Sequence, residues 1–122
     1  SMLFARWSLQ GEEEYLAGLP EAVFRARELQ DFLKERGIRM LLAPIPDKRT
    51  IHHRLFPGDS RRRKGGPRLM AELRRAGVRS VDLLSAFERH RDSRLAPLYQ
   101  SDDSHWSSEG VRVAAAEIAR RL

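Results

Sequence analysis

The run Met40-Leu41-Leu42-Ala43 is apolar at every position, and it is fenced by Gly37 on one side and by Pro44 and Pro46 on the other. Successive residues of a strand point to opposite faces, so a strand that is apolar throughout has no face to turn to water. Residues 38–45 therefore read as a buried strand, covered on both sides and stopped by prolines that cannot donate to a ladder. The surrounding pattern supplies the covering layers. Pro20 opens a helix whose residues Val23, Phe24, Leu29, Phe32 and Leu33 share one face of a 3.6-residue period, and Gly37 stands where a helix C-terminal glycine belongs.

After a loop over residues 47–66, rich in Arg, His, Gly and Pro, the same order repeats. Pro67 suits the first turn of a second helix, Leu69, Met70 and Leu73 give it a narrow apolar stripe, and Gly77 ends it. Residues 78–83 read as a second short strand, and residues 84–91 as a short amphipathic helix with Phe87 inward. The last helix starts near Ser107 and carries Val111, Ala114, Ala115, Ile118 and Leu122 at helical spacing. Helix and strand signals in alternation predict an α/β domain with a parallel sheet flanked by helices. Residues 1–122 read as a single domain without an internal repeat. Two strands cannot make a stable sheet. Residues 2–9 are candidates for a third strand, whereas residues 11–19 look more like a short acidic helix. That shortage predicts an incomplete domain, with a strand edge left to pair with another copy.

The 122 residues, 41% of them hydrophobic, suffice for one modest core. No apolar run approaches the ~20 residues of a bilayer span. Without cysteine there is neither a disulfide nor a thiolate metal site. His52 and His53 are adjacent and so point apart, with no third ligand near them, and no metal is expected. The net charge of +6 owes much to Arg61-Arg62-Arg63-Lys64. That run reads as a solvated loop, because no aromatic residue is interleaved and no nucleic-acid-binding motif accompanies it.

Chemistry concentrates in residues 99–110, Tyr-Gln-Ser-Asp-Asp-Ser-His-Trp-Ser-Ser-Glu-Gly, immediately before the last helix. A carboxylate two residues before a histidine can accept its Nδ1–H, which leaves Nε2 as a base toward a hydroxyl. Asp103 and His105 have that spacing, and Asp102 stands three positions before the histidine. Ser107 or Ser108 can cap the helix, and Trp106 offers an apolar wall beside the imidazole. Lys48 and Arg49, at the C-terminal end of the first strand, read as a solvated loop, with lining of the same crevice to meet an anionic sugar as the alternative.

This stretch resembles the Asp-x-His-Trp signature of the alginate O-acetyltransferases of the AlgX and AlgJ type, here Asp103-Ser104-His105-Trp106, then Gly110 and Ala114-Ala115-Ala116. Leu41-Leu42-Ala43-Pro44-Ile45-Pro46-Asp47-Lys48 resembles that family's apolar strand with a Pro-x-Lys ending. Gly77-Val78-Arg79-Ser80-Val81-Asp82-Leu83 is similar to its Gly-Val-x-x-Val-Asp-Leu strand, and Pro97-Leu98-Tyr99 to its approach to the motif. The resemblance implies an SGNH-hydrolase-like, flavodoxin-like fold and a Ser–His–Asp triad that acetylates a bacterial exopolysaccharide in the periplasm. His105 would be the base and Asp103 its orienting carboxylate, preferred over Asp102 because Trp106 follows. Lys48 and Trp106 would contact the polysaccharide, and an acetyl donor or a membrane-bound acetyl carrier protein would supply the group, with no cofactor.

In that family the serine follows the motif, in a Gly-x-Ser-type turn after a further strand. Here one helix follows the motif before Leu122, so the expectation is a domain cut short on its C-terminal side and inactive alone. The alternative is a carbohydrate-binding or assembly module that has lost the serine. Gly58-Asp59-Ser60 echoes the Gly-Asp-Ser block of ordinary SGNH esterases. However, no apolar strand precedes it to aim Ser60 out of a sharp turn, and it reads as a plain turn.

Overall fold

A computed structural model describes residues 12–46, 51, 65–93, 97–99 and 105–122. Among the described residues, four helices have full bounds: α1 (Glu12–Lys34), α2 (Gly65–Arg75), α3 (Leu83–Ser93) and α4 (Ser108–Arg121). Residues 2–9 lie outside the described residues.

Two chain reversals set the architecture. At the end of α1, the Gly37 N–H donates to Lys34 O at 3.0 Å and the Ile38 N–H to Leu33 O at 2.9 Å. At the end of α2, Gly77 donates to Arg74 O at 3.1 Å and Val78 to Leu73 O at 2.9 Å. Both are Schellman motifs, and both need a residue with positive φ, 75° at Gly37 and 73° at Gly77, which a Cβ would disfavour. The equivalence extends along the chain. Leu33, Lys34, Gly37, Ile38 and Arg39 correspond one for one with Leu73, Arg74, Gly77, Val78 and Arg79. This short repeat shows only once the two turns are compared as structure.

Each reversal launches an extended segment, and the two segments run parallel. Leu42 N–H donates to Arg79 O at 2.9 Å, and Val81 N–H to Leu42 O at 2.8 Å. This is one parallel bridge, Leu42 with Ser80, and among the described residues no strand ladder forms. The expected parallel sheet is thus reduced to its smallest element. One reason lies at its ends: Pro44 and Pro46 remove donors, and Asp82 is drawn into capping α3. Asp82 Oδ1 accepts from the Ser85 N–H at 2.9 Å, and Ser85 Oγ donates to Asp82 Oδ2 at 2.7 Å.

The pair of segments nevertheless separates two cores. On one face Met40 and Leu42 pack with Leu19, Val23, Leu69, Met70, Leu73 and Val78 from α1, α2 and the second turn. On the other, Leu41 and Ala43 pack with Ile51, Val81, Leu83, Phe87, Leu98 and Ala114. The alternation along residues 40–43 sets one core against each face, but these four residues are only partly buried and Ile38 and Ile45 are exposed, so the expected burial of residues 38–45 is incomplete.

Two expectations about α1 are corrected. Pro20 lies inside the helix, not at its start. The stripe formed by Tyr15, Leu16 and Leu19 continues through it to Val23, and burying that stripe offsets the ~3 kcal/mol a proline costs inside a helix. The face with Phe24, Leu29 and Phe32 is exposed, at 59%, 51% and 51%. The opposite face is the buried one, and polar groups fix it. Gln30 donates to Gly77 O at 2.9 Å and accepts from the Arg79 N–H at 2.8 Å, while Arg27 Nη1 donates to Ala76 O at 2.6 Å. These side chains satisfy backbone groups of the second turn that helix and bridge leave over. In α4, likewise, Val111 is exposed and Ala114 is the buried contact.

Gly110, in the first turn of α4, is the tightest backbone approach. A Cβ there would lie 2.2 Å from Leu98 O and 3.3 Å from the Trp106 Cβ. Alanine gains about 1 kcal/mol of helix propensity over glycine. Overpacking costs roughly 1–3 kcal/mol or more, and a backbone carbonyl cannot rotate away as a side chain can. The clash wins, so Gly110→Ala is expected to lower the urea midpoint, by more than Gly18→Ala, whose Cβ would meet nothing within 4 Å. Equal midpoints for the two variants would remove this constraint.

In a parallel pair the backbone groups of alternate residues face alternate neighbours. Leu42 spends its groups on residues 79–81, which directs those of Leu41 and Ala43 to the other edge, where none of the described backbone meets them. An edge of this kind pairs with a further strand, from this chain or from another copy. Sedimentation equilibrium of the 122-residue chain at micromolar concentration should give a mass above the monomer, and a clean monomer would show the edge to be covered.

Candidate active site

The loop that carries the acidic residues and His105 is closed by an antiparallel bridge between Tyr99 and Trp106. The Ser107 N–H donates to Leu98 O at 3.0 Å, just inside that bridge. The Tyr99 hydroxyl then reaches across the molecule and donates to Pro46 O at 2.5 Å. Pro46 ends the first extended segment, so the loop is tied to the C-terminal end of the parallel pair. Open α/β folds place their ligands at that end.

Trp106 and His105 point to different sides of the chain at the bridge. The Trp106 ring turns inward and meets Phe87, with centroids 5.7 Å apart at 56°. Its neighbour His105 is exposed. Phe87 is fully buried and also holds Tyr99 edge-on, at 5.9 Å and 68°. Trp106, expected as an apolar wall beside the imidazole, is half-buried against Phe87 and anchors the backbone next to the candidate base.

Ser107 starts α4, as one of the two serines expected to cap it. Its φ of −78° and ψ of 171° are extended, and its Oγ accepts the Gly110 N–H at 3.1 Å. The same hydroxyl donates to Pro97 O at 2.5 Å, so a single side chain caps the helix and clasps the other arm of the loop. His105 thus sits two residues ahead of a rigid helix start.

A second acid–histidine pair escaped the sequence reading. His90, on α3, is buried, and its Nε2 lies 3.7 Å from Glu109 Oε1 in the first turn of α4. Arg112 donates to Glu109 from Nε at 2.9 Å. That hydrogen bond, with the charges of Arg112 and His90, holds the Glu109 carboxyl below the usual carboxylate range against an opposing effect of burial. The residues lie far apart in sequence, and the available signal was that His90 follows Phe87 by three positions on the inward face of α3. The pair joins α3 to α4 beside the loop, while His105 faces out.

Asp103, the alternative Asp102, Lys48, Arg49, Ser60, His52, His53 and the run 61–64 lie outside the described residues. Among the described residues, no group of three or more His, Cys, Asp or Glu could hold a metal ion, and no helix is long and apolar enough to cross a membrane.

Three similarities bear on this geometry. The family model for the SGNH hydrolase-like domain of the acetyltransferase AlgX matches residues 2–122. A probable alginate O-acetylase AlgJ of Pseudomonas aeruginosa is 28% identical over 103 residues, which is 79% of this chain and 25% of that protein. The O-acetyltransferase domain of Pseudomonas putida AlgJ has the same fold, with a TM-score of 0.77 at 21% identity over 93% of this chain and 41% of that one. The chain spans about a quarter of the length of the curated relative it matches. The match over residues 2–122 means that the chain belongs to the SGNH hydrolase-like domain family of the acetyltransferase AlgX.

Proposed function

We propose that this chain is part of a periplasmic exopolysaccharide O-acetyltransferase, with His105 as general base and Asp103 as the carboxylate that orients it. The observation that carries the reading is the place of His105. It is exposed, it adjoins a backbone bridge pinned on Phe87, and its loop is tied through Tyr99 to the C-terminal end of the parallel pair. Relatives bearing the names of alginate O-acetylases supply the substrate class.

The chemistry asks for a base, an orienting acid and a serine. Nε2 of His105 takes the proton of the serine hydroxyl as its oxygen attacks the acetyl carbonyl, and the donor's leaving group departs with that proton. The imidazole then takes the proton of a sugar hydroxyl, whose oxygen attacks the acetyl-serine ester and restores the serine. The donor is an activated acetyl group or a membrane-bound acetyl carrier protein. Two features suit Asp103 to that role: it precedes the first turn of α4 in sequence, and a carboxylate two residues before His105 can accept Nδ1–H. Lys48, two residues after Pro46 in sequence, is assigned to the carboxylate of a uronate-type acceptor.

Long-range 1H–15N correlation spectra of the 122-residue chain test the pair without requiring turnover. His105 should be protonated at Nδ1, and Asp103→Asn should disturb that tautomer while Asp102→Asn leaves it. The reverse pattern moves the role to Asp102. In an acetyltransferase carrying this segment, His105→Ala should lower acetyl transfer to polymannuronate by about 10³-fold or more, with Asp103→Asn approaching ~10⁴-fold. Transfer indifferent to His105→Ala would favour the carbohydrate-binding module.

A further inference from the structure

The end of the domain away from His105 collects cations from every element that reaches it. Both reversals place an arginine one residue past the turn, Arg39 after Ile38 and Arg79 after Val78. Residue alternation puts the two on the same face. Arg39 shares the side of Leu41 and Ala43, and Arg79 the side of Val81; those three apolar residues belong to the core around Phe87, and both arginines are exposed. The last turn of α4 brings Arg121 to that face, with Nη2 donating to Ser80 O at 3.3 Å. Lys34, Arg74 and Arg75 add the last turns of α1 and α2.

The helix macrodipole accounts for cations in a last helical turn. It does not account for Arg39 and Arg79, which lie beyond the helices. Among the described residues, no carboxylate stands within ion-pair distance of Arg39, Arg74 or Arg79, whereas Arg75 pairs with Glu72 at 2.9 Å and Arg120 with Glu117 at 3.7 Å. The same end exposes apolar tips. Ile38 and Phe32 are each 51% exposed, and the Arg36 guanidinium lies 3.5 Å from the centroid of the Phe32 ring. Cations without partners around exposed apolar tips are the composition of a surface that settles at a lipid headgroup boundary. An acidic polymer alone would use the arginines and leave Ile38 without a purpose.

We infer that this end of the domain docks on an anionic lipid surface. The arginines meet headgroup phosphates and Ile38 enters the apolar boundary. Residues 39–46 rise about 3.3 Å each, so the His105 loop stands roughly 20 Å away at the opposite end and faces off the bilayer. The docking stands independently of the acetyl-transfer reading, since it uses neither His105 nor Asp103.

Co-sedimentation of the 122-residue chain with large vesicles tests it, using phosphatidylcholine with and without phosphatidylglycerol. The chain should bind the mixed vesicles, release with rising salt, and ignore phosphatidylcholine alone. Arg39→Gln/Arg79→Gln should weaken binding at least ~10-fold, and Ile38→Ser several-fold at unchanged charge. Arg25→Gln/Arg68→Gln, the same charge change elsewhere, should leave binding near that of the wild-type chain. Thermal melts by circular dichroism establish that each variant is folded. Equal losses in the two arginine pairs would reduce the effect to net charge and overturn the inference. Binding to soluble polymannuronate that depends on Arg39 and Arg79, with no vesicle binding, would overturn it in favour of an acidic polysaccharide.

Discussion

The Phe87 ring is where fold and site meet. It is fully buried, it belongs to the core that covers Leu41 and Ala43, and it holds both residues that close the His105 loop, Tyr99 and Trp106. Truncating a phenylalanine in such a position costs ~3–5 kcal/mol, a large share of what a domain of this size has to lose. The exposed helix pairs cannot compensate for such a loss. Arg25 with Glu21, Arg25 with Glu28 and Arg27 with Asp31 are all about half exposed or more, and pairs of this kind contribute a few tenths of a kcal/mol. The loop is therefore held by aromatic packing and by a few hydrogen bonds to backbone carbonyls, those of Pro46, Pro97 and Leu98.

What could be read directly from the residues is what depends on neighbours within a turn. Gly37 and Gly77 announce the helix ends, Ser107 the cap, Pro67 the first turn of α2, and the run 40–43 its burial between layers. The buried face of α1 was not legible, for a physical reason. Apolar periodicity picks Phe24, Leu29 and Phe32, but the face that packs includes Gln30 and Arg27, whose value lies in backbone groups near Gly77 far along the chain. A polar side chain that completes a distant turn looks like solvent-facing residue until the turn is beside it. The extent of the sheet was overread for the mirror reason: apolarity reports burial, whereas a ladder also needs donors and partners, which Pro44, Pro46 and the capping Asp82 withdraw.

The candidate site divides along the same line. His105, Trp106 and Ser107 are consecutive, so a short motif suffices to single them out. The contacts that give His105 its position are long-range and silent in the sequence, Tyr99 with Pro46, Leu98 with Ser107 and Gly110, His90 with Glu109. Gly110 makes the point sharply. As a letter in a motif it carries no reason, but against the Leu98 carbonyl it is the residue that lets α4 start where the loop closes.

One rule produces both ends of the molecule. Because α1 and α2 each reverse through a glycine into a parallel segment, their C-termini and the segment starts share one end. α4 is oriented alike, with its first turn at Leu98 and its last at Ser80. The dipoles of α1, α2 and α4 favour negative charge at the end with the His105 loop and positive charge at the other, opposed in part by α3, whose last turn meets the first turn of α4. Glu109 in the first turn of α4 belongs at the first, and Lys34, Arg74, Arg75, Arg120 and Arg121 at the second. Arg39 and Arg79 go further than the dipoles require, since they sit on the extended backbone after each turn, where the helix field has largely faded. Their repetition at equivalent positions, from two turns that share only a leucine, a basic residue, a glycine and a β-branched residue, separates them from simple charge compensation. The polarity of the domain is thus set by backbone geometry, and the two arginines are what the sequence adds to it.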